Sequence, residues 1–137
     1  MDTNSLIIEQ LSPYDFDRTV ELLSEAAARK DWQMPALHDL QNSLAKAGKA
    51  VKPVKVLEVC KPHYSGQLLE KNHERIVSVM MPCRISVYLK DDGKTYIALI
   101  NGAALASSMP ETIKSVMTEA SDELFKIVES IIKPNLI

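Results

Sequence analysis

Apolar positions along the chain change period several times, and each change marks an element. Leu6, Ile7 and Ile8 sit in a run from Ser5 to Leu11 that predicts a first strand. Ser12-Pro13 then supplies a capping hydroxyl and a first-turn proline. Phe16, Val20, Leu23 and Ala27 follow at helical spacing, which predicts a helix to about Lys30. Trp32 to Leu37 is short and interrupted by Pro35. Leu37, Leu40, Leu44 and Ala47 predict a second helix, stopped by Gly48. Val54 to Cys60 alternates as a strand does, and Pro62 opens a short helix through Leu69. Ile76 to Met81 is a β-rich run cut by Pro82, which has no N–H for a ladder. Cys83–Leu89 and Thr95–Ile100, joined by Asp91-Asp92-Gly93, predict a hairpin.

The C-terminal helix carries the longest pattern: Ile113, Val116, Ala120, Leu124, Ile127 and Ile131 hold one face. Ser108 stands three residues before Glu111 with Pro110 between, the order of a capping box, and Pro134 closes the helix. The predicted order β-α-α-β-α-β-β-α does not alternate as a doubly wound sheet would. It predicts one α+β domain over residues 1–137, a mainly antiparallel sheet with helices packed on it and a long C-terminal helix.

Composition narrows the class without naming a function. With 137 residues, 46% of them hydrophobic, and a net charge of −2, the chain has the make-up of a soluble domain able to fold without a metal or a disulfide. No apolar run approaches the ~20 residues that span a bilayer, so no membrane partner is expected. Met1-Asp2-Thr3-Asn4 opens without a basic region or apolar signal core, which predicts a cytoplasmic protein whose Cys60 and Cys83 are thiols. Charge is uneven: residues 1–45 carry 3 basic and 8 acidic side chains, residues 46–75 carry 7 and 3. The lysines of the basic stretch are spread out and not interleaved with aromatics, so nucleic acid is not expected as a partner.

Chemistry concentrates in two places, Glu58-Val59-Cys60-Lys61-Pro62-His63 and Met81-Pro82-Cys83-Arg84. Each cysteine lies where a strand meets a proline break, and two adjacent strands would bring both to one sheet end. Cys60 and Cys83 with a histidine could hold zinc or another soft metal. His38, beside Leu37 and Leu40, is preferred as that ligand over His63, which lies in the first turn of a helix facing solvent. Alternatively both cysteines are small buried hydrophobes, or one is a thiolate held by Arg84 or Lys61 in a thiol-dependent enzyme. Asn101, at a strand end, could fix a ligand. His73 lies in a polar loop, and Met80, Met81, Met109 and Met117 read as core filling. Four glycines, none in a phosphate-loop or dinucleotide pattern, give no nucleotide site.

Four segments in order carry a resemblance: Trp32–Gln41, Val54–Pro62, Met81–Tyr88 and Asp92–Ile97. Together they resemble the bacterial and archaeal domain of unknown function 302 family. That resemblance implies a small α+β domain with a mostly antiparallel sheet, a homodimer, and no established activity. The family's motifs map onto Cys60, Cys83 and Arg84, with His38 in the His-Asp-Leu-Gln variant and Asn101 after the hairpin. Many members continue with a Met- and Gly-rich segment, where this chain has Gly102 to Ser108 without methionine. A homodimer is expected, with Tyr64 and Leu68 among the apolar residues a partner would cover. A small molecule or a metal is the expected ligand.

Overall fold

A computed structural model describes residues 5–133. Residues 1–4, where the absence of a signal was read, and Pro134, read as the helix stop, lie outside the described residues. Five strands form one sheet: β1 (Ile7–Leu11), β2 (Gln33–Asp39), β3 (Val54–Cys60), β4 (Cys83–Leu89) and β5 (Thr95–Ile100). Their order is β1-β5-β4-β3-β2, and every neighbouring pair is antiparallel. The helices are α1 (Phe16–Arg29), α2 (Leu40–Lys46), α3 (Pro62–Leu69), α4 (Gly102–Leu105) and α5 (Glu111–Ile132), with a 3-10 helix at Glu74–Met80. This is the expected α+β architecture, and the hairpin and long C-terminal helix stand where the pattern put them.

Antiparallel partners point to the same face of a sheet, so the register sorts the side chains. Ile8, Leu99, Ile85, Leu57 and Leu37 form one continuous row across all five strands. The middle of that row is fully buried under α1 and α5, whose Leu23, Ala27, Leu124 and Val128 complete the main core. The opposite face lies away from the core that α1 and α5 cover. Its residues include Glu9, Ala98, Ser86, Val56 and His38, again one from each strand. A second, smaller core gathers Leu68, Val77, Ile113 and Val116, with Met80, Met81, Met109 and Met117 against it. The methionines therefore fill a core, as read from the sequence.

Four local expectations are corrected. Gln33–Leu37 of the Trp32–Leu37 stretch belongs to a strand: Pro35 falls within the register irregularity between Gln33 and Ala36, on an edge strand where a missing N–H costs no ladder bond. The following helix starts later than the leucine spacing implied, because the Asp39 carboxylate accepts from the Asn42 N–H and caps it at Leu40. The Ile76–Met81 run falls largely in a 3-10 helix, Glu74–Met80, in which only Val77 is buried, so Ile76 and Val79 face out rather than into a ladder. The caps differ as well. Asp15 rather than Ser12 caps α1, and Ser12 instead pairs with Thr19 at 2.7 Å. Pro110 occupies the cap position of α5 without a side-chain bond, so the Ser108 capping box does not form.

Candidate functional site

β3 and β4 bring the two cysteines together. Val59 pairs directly with Cys83, which places Cys60 one register step away from Cys83 at the same end of the sheet. Cys83 shares the helix-covered face with Val59 and packs against the main core. Burial pushes its thiol up from the ordinary value, and the neighbouring Cys60 adds to the shift. Cys60 is half-buried, and its Sγ lies 3.5 Å from the Ser65 Oγ of α3. Ser65 sits there because α3 begins two residues after the strand ends, with Pro62 fixing the first turn.

Beside the cysteines is a polar cluster that sequence reading missed. Glu123 of α5 accepts hydrogen bonds from Trp32 Nε1 at 3.0 Å, from Lys61 Nζ at 2.6 Å and from the Tyr64 hydroxyl. The three donors come from the residue before β2, the residue between β3 and α3, and the first turn of α3. Burial works against the Glu123 charge, but the bonds from Lys61, Tyr64 and Trp32 outweigh it and hold the carboxyl below its usual range. Tyr64 is pushed up to about 12 by burial and by its bond to Glu123. Its ring rests 5.9 Å from that of Trp32, and the exposed His63 meets it edge-on at 5.1 Å. Nothing in the local sequence marks Glu123, one acidic residue among several on an amphipathic helix. The lone tryptophan was the available signal, since a buried indole N–H needs an acceptor.

The other sequence candidates lie elsewhere. His38 pairs with Val56, roughly 13 Å along β3 from Cys60 at ~3.3 Å per residue. Its Nε2 stands 3.2 Å from the Glu58 carboxylate, and Arg84 Nη2 lies 3.6 Å from the same oxygen. Alternation along the strand turns Arg84 to the open face, away from the Cys83 thiol that precedes it. Among the described residues no group of three or more His, Cys, Asp or Glu side chains is placed to hold a metal ion. Asn101 is buried, and its side-chain oxygen accepts from the Ala104 N–H, capping α4. Leu68 is buried in the smaller core and Tyr64 leans on Trp32, so neither offers the outward apolar surface expected of it.

A one-sided antiparallel sheet with helices over the other face, and a pair of thiols at one end, defines a small α+β domain of a recognisable kind. Residues 8–131 match the model of DUF302, a domain of unknown function, and the chain belongs to that family. The fold is similar to the crystal structure of an uncharacterized conserved protein DUF302 from Bacillus stearothermophilus, with a TM-score of 0.83 at 20% sequence identity. That likeness covers 92% of this chain and 98% of the other. No curated protein matches the chain. Among the described residues, no helix is long and apolar enough to cross a membrane.

Proposed function

We propose that the protein is a homodimeric, cytoplasmic binding module whose site lies at the Cys60/Cys83 end of β3 and β4. The ligand is a soft metal ion such as zinc, or a small molecule bound through the thiols. One observation supports the reading: Cys60 ends β3 and Cys83 begins β4 at one end of the sheet, near enough for Cys60 to add to the upward shift of the Cys83 thiol, beside a charged network anchored on Glu123. Two thiolates would leave positions open on a soft ion for a small exogenous ligand, which joins the two ligand classes. His38, committed to Glu58, is not carried into this site. Burial raises the Cys83 thiol, so a metal bound there would have to displace its proton.

The test is titration of the reduced protein with cadmium, read by the ultraviolet thiolate-to-metal charge-transfer band. We expect one ion per chain in the parent protein, and a much weaker band in both Cys60→Ser and Cys83→Ser. No saturable band, together with one thiol that reacts fast with an alkylating reagent at low pH, would replace this reading with a thiol-dependent enzyme.

A further inference from the structure

Asn101 and Gly102 join β5 to α4, and packing requires each of them for a separate reason. The Asn101 side-chain oxygen accepts from the Ala104 N–H at 3.3 Å and caps the helix from a buried position. Gly102 is required by close approach, because a Cβ there would stand 2.6 Å from the Met117 carbonyl oxygen of α5. Together they form the dipeptide in which an asparagine side chain is most readily attacked by the next backbone nitrogen, since glycine puts no Cβ beside that nitrogen. The attack needs a Gly102 nitrogen stripped of its proton, an Asn101 carboxamide turned onto it, and a peptide plane free to rotate. Each of these is held. The Gly102 N–H donates to Ser121 Oγ at 2.9 Å, and the Ser121 hydroxyl is itself oriented by donating to the Ile100 carbonyl at 3.4 Å. The carboxamide is engaged by Ala104. The Asn101 N–H donates to the Leu6 carbonyl at 2.8 Å, and the Asn101 carbonyl accepts from the Leu105 N–H at 3.0 Å.

We propose that Asn101-Gly102 is a self-modification site that the docking of α4 on α5 keeps closed, and that it forms isoaspartate when this join opens. In the open chain the Gly102 nitrogen, having lost its proton, attacks Asn101 Cγ. A C–N bond forms, the bond to the side-chain nitrogen breaks, and ammonia leaves a five-membered succinimide behind. Water then opens the ring at either carbonyl, giving aspartate or isoaspartate. The net change is amide plus water to carboxylic acid plus ammonia, and no further reactant is needed. Aspartate keeps a capping oxygen, since Asp and Asn cap about equally well. Isoaspartate instead adds a methylene to the main chain between β5 and α4. Gly102 then cannot both donate to Ser121 and rest against Met117, so the join stays loosened. An opening of α4 is thereby recorded in the covalent structure.

Peptide mapping by liquid chromatography and mass spectrometry, which separates isoaspartate from aspartate, tests the proposal on the whole reduced protein incubated at mildly alkaline pH. A group protected by packing reacts only from its open form, so folding should slow isoaspartate formation at Asn101 by roughly 100-fold or more against the same chain in guanidinium chloride. Ser121→Ala removes the acceptor of the Gly102 N–H. It should raise the rate in the folded protein several-fold and leave the rate in guanidinium chloride unchanged. The comparison of folded and unfolded parent stands even if Ser121→Ala fails to fold. Equal rates in the folded and unfolded parent, or no isoaspartate at Asn101 in the unfolded chain, overturn the proposal. A folded Ser121→Ala protein that reacts as slowly as the parent overturns the role given to α5.

Discussion

At the scale of residues, Glu123 joins three donors from distant parts of the chain. Its side chain is 23% exposed, and it satisfies an indole N–H, an ammonium and a phenol at once. Removing it leaves three donors without an acceptor in a half-buried setting, where each lost partner is worth about 1–3 kcal/mol before water replaces it. Glu123→Ala should therefore lower the unfolding free energy by about 1–3 kcal/mol in urea. The pH dependence has a definite sign. The folded-state carboxyl lies below its ordinary value of 4.5, so the folded state favours the charged form. Its contribution is present in full above that value and disappears as pH falls through the lower folded-state value. Stability measured against pH should fall on that acid limb in the parent protein, and more gently in Glu123→Gln, which has no carboxyl to titrate.

At the scale of elements, close approach rather than helix propensity governs the join between β5 and α5. A Cβ on Gly102 would stand 2.6 Å from the Met117 carbonyl oxygen and 2.8 Å from the Ser121 Cβ. The Gly102 N–H also donates to Ser121 Oγ at 2.9 Å, so α4 is held against α5 by its backbone. Gly102→Ala must push the two helices apart, and overpacking of that kind costs about 1–3 kcal/mol. Gly66 in α3 is the internal comparison, because its Cβ would meet only Glu70 Oε1, at 3.8 Å. Gly66→Ala should stabilise by about 0.5–1 kcal/mol through helix propensity. Thermal melts of the two variants shifting in the same direction would refute this account of the join.

At the scale of the whole molecule, stability is concentrated in the middle of the sheet. β4 is the central strand, and Leu57, Ile85, Val87 and Ile97 on β3, β4 and β5 are fully buried. By contrast α2 has no buried residue, and Leu40 and Leu44 remain exposed. The 3-10 helix leaves Ile76 74% and Val79 85% exposed. Local opening follows burial, so amide exchange should be slowest in β3, β4 and β5 and early in α2 and the 3-10 helix. Equal protection of α2 and β4 in the monomeric state would contradict this picture.

Period alone was enough for the elements with one long buried face. The α5 stripe from Ile113 to Ile131 and the Cys83–Leu89/Thr95–Ile100 hairpin are legible because each buries alternate or every third-to-fourth residue against a single core. The two cysteines were also legible as a pair at one sheet end, because both adjoin proline breaks. Tertiary structure decided the rest. Gln33–Asp39 is a strand because β3 offers a partner edge, which no local propensity records. Arg84 turns from the thiol, and His38 joins Glu58, because strand register sets which side chains share a face. Glu123 reaches Trp32 across 91 residues of chain, a separation at which only the packed fold brings groups together.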